Sequence, residues 1–305
     1  MTFSAQIKEE LSSIPIKTPK CALAEFCGMV FFSNTTTLDR IKITTENKNV
    51  AHRASWLAKS LFGFDFDRKI TPLTATKKFN LIIESEPKLK DIFEAFGFNT
   101  ETSSPLRLNA AIVETDDERA AFCRGAFLTG GSVTDPKLRY HLELVTSHNI
   151  LTREVVSLLL ELNLSAKTVS RKSNNIIYFK ESTQIEDFLT RIGAPLSTIE
   201  LMQAKLYKDV RNNTNRQVNC EYANLTRTAD AAKIHIRAIK KLKSDGKYDS
   251  LSDKLKEAAE LRLAYPEDSL NILISHTNGE ITKSGLNHRL NKLVELANEN
   301  ITRKE

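Results

Sequence analysis

Apolar residues recur along this chain with two periods, and the order in which the periods alternate is written twice. Phe3, Ile7, Leu11 and Ile14 follow helical spacing until Pro15 and Pro19 interrupt it, which predicts a short amphipathic opening helix. From about Ala22 to Phe32, apolar residues occupy nearly every side of the next predicted helix, the pattern of a buried element. Arg40-Ile-Lys-Ile-Thr-Thr45 then alternates in steps of two, as a half-buried strand does, with Arg40 and Lys42 facing outward. A helix over residues 50–62 closed by Gly63, strands over 68–76 and 79–84, and a helix over 89–96 closed by Gly97 complete the series.

The second writing starts at Phe122-Cys-Arg-Gly-Ala-Phe-Leu-Thr-Gly-Gly-Ser132, an apolar helical run that stops at a glycine pair. Its weaker counterpart is Glu25-Phe-Cys-Gly-Met-Val-Phe-Phe-Ser-Asn34, where Gly28 stands for Gly125 and Ser33-Asn34 for Gly130-Gly131. After an Asp135-Pro136 turn signal come an alternating strand over 140–145 and a helix over 151–162. Strands over 166–171 and 175–180 flank a Lys172-Ser173-Asn174 turn, and a helix over 185–192 is closed by Gly193. Gly28 to Gly97 spans 69 residues and Gly125 to Gly193 spans 68. The pattern predicts an α+β fold: two αββαββα repeats, about 21–98 and 118–196, related by a pseudo-twofold. The two glycine-bearing helices form the join, because glycine lets helix backbones approach closely. Residues 1–20 form an N-terminal helical arm ahead of this duplicated domain at 21–196.

Beyond it the periodicity turns wholly helical. Residues 199–210 read as a helix leading into Arg211-Asn-Asn-Thr-Asn-Arg-Gln-Val-Asn-Cys-Glu-Tyr-Ala-Asn-Leu225. Asparagine competes with helical hydrogen bonds and favours caps and turns, so 197–228 is expected to be an Asn/Arg-rich linker. Arg211 and Arg216 within it are candidate phosphate contacts. A helix over 229–243 places Ala229, Ala232, Ile236 and Ile239 on one face and Lys233, Arg237, Lys240 and Lys241 along another, a basic stripe able to track a phosphate backbone. A helix from Leu255 ended by Pro266, a short one over 269–275, a turn at His276-Thr-Asn-Gly279 and a last helix from Thr282 or Lys283 complete an all-α helix-turn-helix domain over 229–305. Leu286, Leu290, Leu293 and Ala297 define the buried face of the last helix. Ser284, Asn287, His288 and Asn291 lie away from it and suit base edges; Lys283, Arg289 and Lys292 flank them and suit phosphate oxygens.

Charge supports this placement without demanding it. The net charge of the 305 residues is +6, and the larger part of the excess lies from Leu196 onward. Cys21, Cys27, Cys123 and Cys220 have neither metal-ligand nor disulfide spacing, so no metal or cofactor is expected and the thiols fit a reducing compartment. The start lacks a signal peptide pattern and no apolar run approaches membrane length, so a soluble, cytoplasmic protein associated with the nucleoid and no membrane partner is expected.

The helix ending in Gly-Gly, the duplication and the αββαββα order resemble the LAGLIDADG homing-endonuclease fold. The resemblance implies that the two motif helices form the central interface and that the sheets make a saddle over DNA. It also implies acidic, metal-binding residues near the helix ends. Those positions are Phe31 and Ser33 in one copy and Leu128 and Gly130 in the other, and none can hold a divalent cation that prefers carboxylate oxygens. Asp39 and Asp135 lack matched spacing and read as turn or surface carboxylates. The Asn-rich run R-N-x-x-N-R-x-V-N-C-E-x-A-N further resembles the WhiA regulators, in which a degenerate LAGLIDADG domain precedes a helix-turn-helix, and this likeness covers essentially the whole chain. It implies a DNA-binding transcriptional regulator or nucleoid-associated protein tied to cell division, chromosome segregation or sporulation, with double-stranded DNA and other transcription regulators as partners and no enzymatic activity. The alternatives are an active homing endonuclease and a protein-binding scaffold.

Overall fold

Two four-stranded antiparallel sheets, each paired with its own set of helices, build the larger of two units in a computed structural model that describes residues 1–70, 78–98, 106–277 and 281–299. The units are Met1–Asp209 and Val210–Glu305. Unit one begins with α1 (Phe3–Ser12), which buries Phe3, Ile7 and Leu11, the spacing read from the sequence. The first repeat follows as α2 (Pro19–Phe31), β1 (Thr35–Thr37), β2 (Arg40–Thr45), α3 (Lys48–Phe62), β3 (Arg68–Ile70), β4 (Phe79–Ile83) and α4 (Glu86–Ala95). The second is α5 (Asp116–Gly130), β5 (Gly131–Val133), β6 (Leu142–Thr146), α6 (Asn149–Glu161), β7 (Lys167–Arg171), β8 (Asn174–Phe179) and α7 (Ser182–Ile192). The strand orders β1-β2-β4-β3 and β5-β6-β8-β7 are the same path taken twice.

Local chemistry explains the boundaries. Thr18 caps α2 with Pro19 in its first turn, and Thr115 with Glu118 forms a reciprocal capping box at the start of α5. Gly63 and Gly193 close α3 and α7 in the left-handed conformation, with φ of 73° and 99°. Ile41 and Ile43 are buried while Arg40 and Lys42 are half-buried on the other face of β2, as the alternation predicts. Two strands escape the sequence reading, β1 and β5, because three residues are too few to show a period. The expected strand over 68–76 is observed only as Arg68–Ile70, its remainder lying outside the described residues.

The pseudo-twofold runs between α2 and α5. A Cβ on Gly28 would stand 2.1 Å from the Phe122 carbonyl oxygen, and one on Gly125 would stand 1.9 Å from that of Glu25. The helices therefore touch main chain to main chain, reciprocally, at the two glycines. At the same level Glu25, fully buried, accepts from two arginines. Arg124 Nε reaches Oε2 at 2.8 Å, and Arg53 binds both carboxylate oxygens, its Nη2 at 2.9 Å from Oε2. Three further guanidinium hydrogens go to the carbonyls of Ser12, Ile14 and Ile192. This network ties α2, α3, α5, the end of α1 and the end of α7 together in the middle of an otherwise apolar core.

The helix α8 (Pro195–Ser244) gives its first turns to unit one, where Glu10 of α1 caps it by accepting from the amides of Leu196 and Ser197 at 2.8 and 3.0 Å. It runs unbroken through the Asn/Arg-rich stretch, where turns and caps were expected. The residues from 211 to 222 are all exposed, so the asparagine side chains point into water and do not bend back onto the backbone. Each then costs only its propensity deficit, about 0.7 kcal/mol or less. In unit two, α8 meets α9 (Asp253–Ala264), α10 (Leu270–Ser275) and α11 (Lys283–Asn298) around Ile239, Leu242, Ala259, Leu273, Leu286 and Leu290.

Candidate nucleic-acid interface

Helix α11 is built to present one face and bury the other. Thr282 caps it, its hydroxyl accepting from the Gly285 amide at 3.2 Å, so the helix begins with Lys283. Leu286, Leu290, Leu293 and Ala297 are buried at the offsets read from the sequence. Lys283, Ser284, Asn287, His288, Asn291 and Lys292 are exposed together on the opposite side. Two candidates meet other helices of the unit. Arg289 is half-buried and pairs with Glu257 of α9 at 3.0 Å, and Asn291 lies beside the buried His235 of α8. Lys292 pairs with Glu295 at 2.9 Å on the open surface.

The segment in front of α11 is held by residues that sequence reasoning missed. Arg262, buried on α9, donates to the carbonyls of Tyr265 and Asp268 at 3.3 and 2.7 Å and so fixes the turn between α9 and α10. Tyr265 stacks flat on His276 at 3.9 Å between ring centres, and His276 Nε2 lies 3.2 Å from Asp268 Oδ2. A positive charge inside an amphipathic helix was the visible signal for Arg262. Its partners are carbonyl groups, which no sequence pattern marks. Residues 278–280 of the following turn lie outside the described residues.

His235 is buried beneath Asn291 with its Nδ1 unpartnered, and burial together with the nearby Arg262 charge holds its imidazole below the ordinary histidine range, the Asn291 amide acting the other way. It completes the inner face of α8 with Ala232, Ile239 and Leu242. Ala229, expected on that face, is exposed, and Ile236 is only half-buried. The face lies one helical step from the assigned one because Ala238, His235 and Leu242, not Ala229, point at α9 to α11. On the outer side Lys233, Arg237 and Lys240 are exposed and Lys241 is half-buried, while Arg211 and Arg216 are exposed further back along α8.

In unit one the degenerate positions are occupied by structure. Phe31 and Leu128 lie in the core. The Ser33 hydroxyl sits 2.8 Å from that of Thr36 and donates to the Thr35 carbonyl at 3.0 Å. A Cβ on Gly130 would stand 2.6 Å from the Val145 carbonyl oxygen, so the backbone has closed over the place where a side chain would be. Asp135 accepts from the Lys137 amide in a turn, and Asp39 is exposed with its pKa lowered chiefly by the Thr37 hydroxyl. Among the described residues no three His, Cys, Asp or Glu side chains are grouped to hold a metal ion, and no helix is long and apolar enough to cross a membrane.

Comparison with known proteins extends over both units. Residues 119–211 match the family model for the WhiA LAGLIDADG-like domain, and residues 214–297 match that for the WhiA C-terminal HTH domain. The chain is 36% identical over 310 residues to a protein of Clostridium botulinum (strain Hall) described as probable cell division protein WhiA, covering 98% of each. It is 34% identical over 311 residues to the protein of that description in Clostridium novyi (strain NT), again covering 98% of each. Among solved structures, full-length DUF199/WhiA from Thermatoga maritima superposes with a TM-score of 0.59 at 25% identity, over 98% of this chain and 99% of that one. A structure of the isolated N-terminal LAGLIDADG domain of DUF199/WhiA shares the fold with a TM-score of 0.50 at 23% identity, over 63% of this chain and 92% of that one.

Proposed function

The chain belongs to the WhiA family, and on that premise we propose that it binds double-stranded DNA through α11 as a transcriptional regulator or nucleoid-associated protein, without nuclease activity. The observation that carries this reading is the exposed strip of Lys283, Ser284, Asn287 and His288 on the first turns of α11, held in place by a buried leucine ladder and the Thr282 cap. The N-terminal part of a helix set this way is the part that reaches base edges in the major groove. Asn287 offers the donor and acceptor that adenine needs, and Ser284 and His288 offer single hydrogen bonds. Lys283 and Lys292 take phosphates, as do Arg211, Arg216, Lys233, Arg237, Lys240 and Lys241 along α8. Arg289, paired with Glu257 of α9, helps to set the angle at which α11 is presented.

The relatives are described as probable cell division proteins. Control of cell division, chromosome segregation or sporulation genes, in the cytoplasm on the nucleoid and together with other transcription regulators, follows for this chain as part of the same proposal. Loss of cleavage is supported by the backbone packed at Gly130 and the hydroxyl network at Ser33, which leave no carboxylate at either helix end.

A gel-shift titration with sites recovered by genome-wide mapping tests the proposal. Asn287→Ala and His288→Ala each lower affinity for the preferred site by about 1–3 kcal/mol per lost base contact while leaving random DNA unaffected. Lys283→Glu with Lys292→Glu weakens every sequence and flattens the salt dependence. Unchanged affinity and unchanged preference in the Asn287 and His288 variants would remove α11 from the interface.

A further inference from the structure

Within unit two, α8 carries a second apolar row besides the one buried against α9 to α11. Thr214, Val218, Tyr222, Leu225, Ala229 and Ile236 follow one another along one side of the helix. Thr214, Leu225 and Ile236 stand eleven residues apart, as do Val218 and Ala229, and eleven residues make close to three turns, so the row runs straight. Val218, Tyr222 and Leu225 are 55%, 72% and 69% exposed. At its far end the row enters a groove of about 550 Å³ lined by Leu225, Ala229, Lys233 and Ile236 of α8 and by Pro266 and Glu267 after α9. Ala229 and Ile236 are not buried with Ala232 and Ile239 because they face this groove.

The stretch that holds the row is weak as a helix standing alone. No residue from 210 to 231 is buried. Among the described residues its side-chain hydrogen bonds stay within one turn, such as Thr214 to the Val210 carbonyl at 3.0 Å, Gln217 to Glu221 at 3.2 Å and Thr226 to the Tyr222 carbonyl at 2.9 Å. Its five asparagines and three threonines each propagate a helix up to about threefold less well than alanine, and a helix in a protein draws most of its stability from packing an apolar face. An uncovered apolar row on a stretch that needs cover marks a surface completed by a partner.

Charge selects that partner. Over residues 210–244, α8 carries eight Lys and Arg against two Asp and Glu. Among the described residues Arg211, Arg237 and Lys240 have no ion pair, and Lys233 has only Asp230, at 3.7 Å. We propose that the row and its groove take an acidic amphipathic helix of a partner protein, whose apolar side covers Val218, Tyr222 and Leu225 while its carboxylates meet these cations. Duplex DNA matches the charge but gives three large apolar side chains nothing to pack against, and a second copy of α8 would set like charge against like. Docking needs no DNA, but Arg211, Lys233, Arg237 and Lys240 are also proposed for phosphate, so on that reading helix and duplex compete for them.

The test puts the photo-reactive p-benzoylphenylalanine in place of Tyr222 in the full chain, expressed in the cells it comes from, and irradiates them during growth. Mass spectrometry of the joined peptides should find one protein attached through an acidic amphipathic helix. Val218→Ser with Leu225→Ser should lower the adduct yield at least about tenfold, the loss of two of the anchors on a helix face. Both residues are exposed, and an unchanged far-UV circular dichroism spectrum checks that the variant folds. Asn287→Ala with His288→Ala should leave the yield unchanged, which keeps this proposal apart from the reading of α11; a fall in that variant would put DNA on the row instead. Absence of an adduct, a yield untouched by the serine variant, or attachment to a basic segment, to lipid, to DNA or to another copy of this chain overturns the proposal.

Discussion

Replacing Gly125 with alanine adds one methyl group to a place that has no room for it. The new Cβ would stand 1.9 Å from the Glu25 carbonyl oxygen and 2.9 Å from the Met29 amide nitrogen, whereas carbon and oxygen rest at about 3.3 Å. Both obstacles are backbone in the middle of a helix, so α2 and α5 must part by on the order of 1 Å. A radial gap of that size forfeits a quarter to a half of the dispersion energy at each contact. It also pulls Arg124 Nε from Glu25 Oε2, now 2.8 Å apart in the buried network one turn away. Overpacking of a core costs about 1–3 kcal/mol and occasionally more, and alanine returns about 1 kcal/mol through helix propensity. The distance to be made up places this case at the upper end, so the net loss is about 2 kcal/mol. Trp56, the single tryptophan, lies on α3 and reports unit one alone. Urea unfolding followed by its fluorescence should show a midpoint lowered by about 1 M, for a slope of 1–3 kcal/mol per molar. An unchanged or raised midpoint would mean that the helices are not in main-chain contact, and the reasoning about the seam would fall.

Glu25→Gln should destabilise unit one by about 3–5 kcal/mol, because Arg53 and Arg124 would remain buried with their shared charge gone; a loss under 1 kcal/mol on the Trp56 probe would refute that role. Restoring carboxylates with Ser33→Asp and Gly130→Asp should give no Mg²⁺-dependent nicking of plasmid DNA, since the second Cβ meets the Val145 carbonyl at 2.6 Å; a nicked product would show the site to be more open than it is. His235 has its folded pKa lowered by burial and by Arg262, so the unfolded chain takes up the proton first. Its stabilising contribution is complete above the ordinary value near 6.5 and is lost as the pH falls through the lower folded value. Amide NMR signals of α11 followed in urea at pH 7.5 and pH 5.5 should show that loss, and His235→Gln should reduce it; an equal pH dependence in the variant would clear His235.

Much of the architecture was legible because it rests on period and count. The equal spacing of Gly28–Gly97 and Gly125–Gly193 disclosed a duplication, and the leucine offsets of α11 disclosed its buried face before any coordinates. What escaped is what depends on a partner distant in sequence. Glu25 and Arg124 are charges inside largely apolar helical runs, a signal the periodicity alone does not interpret, and nothing near Arg53 marks it as their third member. The Asn-rich stretch misled in the other direction. Local propensity pointed to turns, and water, by hydrating the asparagine side chains all round α8, removed the competition on which that expectation rested.

The reciprocal glycine contact sets what the two repeats can tolerate from one another. A boundary whose tightest contact is backbone on backbone asks little of side-chain shape at that point, and its remaining demands fall on a few pairs such as Phe32 with Phe122 and Glu25 with Arg124. Halves taken from two different relatives should dock as they do here, provided that each brings its glycine and that Glu25, Arg53 and Arg124 arrive as a set. The core of this unit is thus modular across its own axis, in the way a plug and socket remain interchangeable when only the pins are standardised.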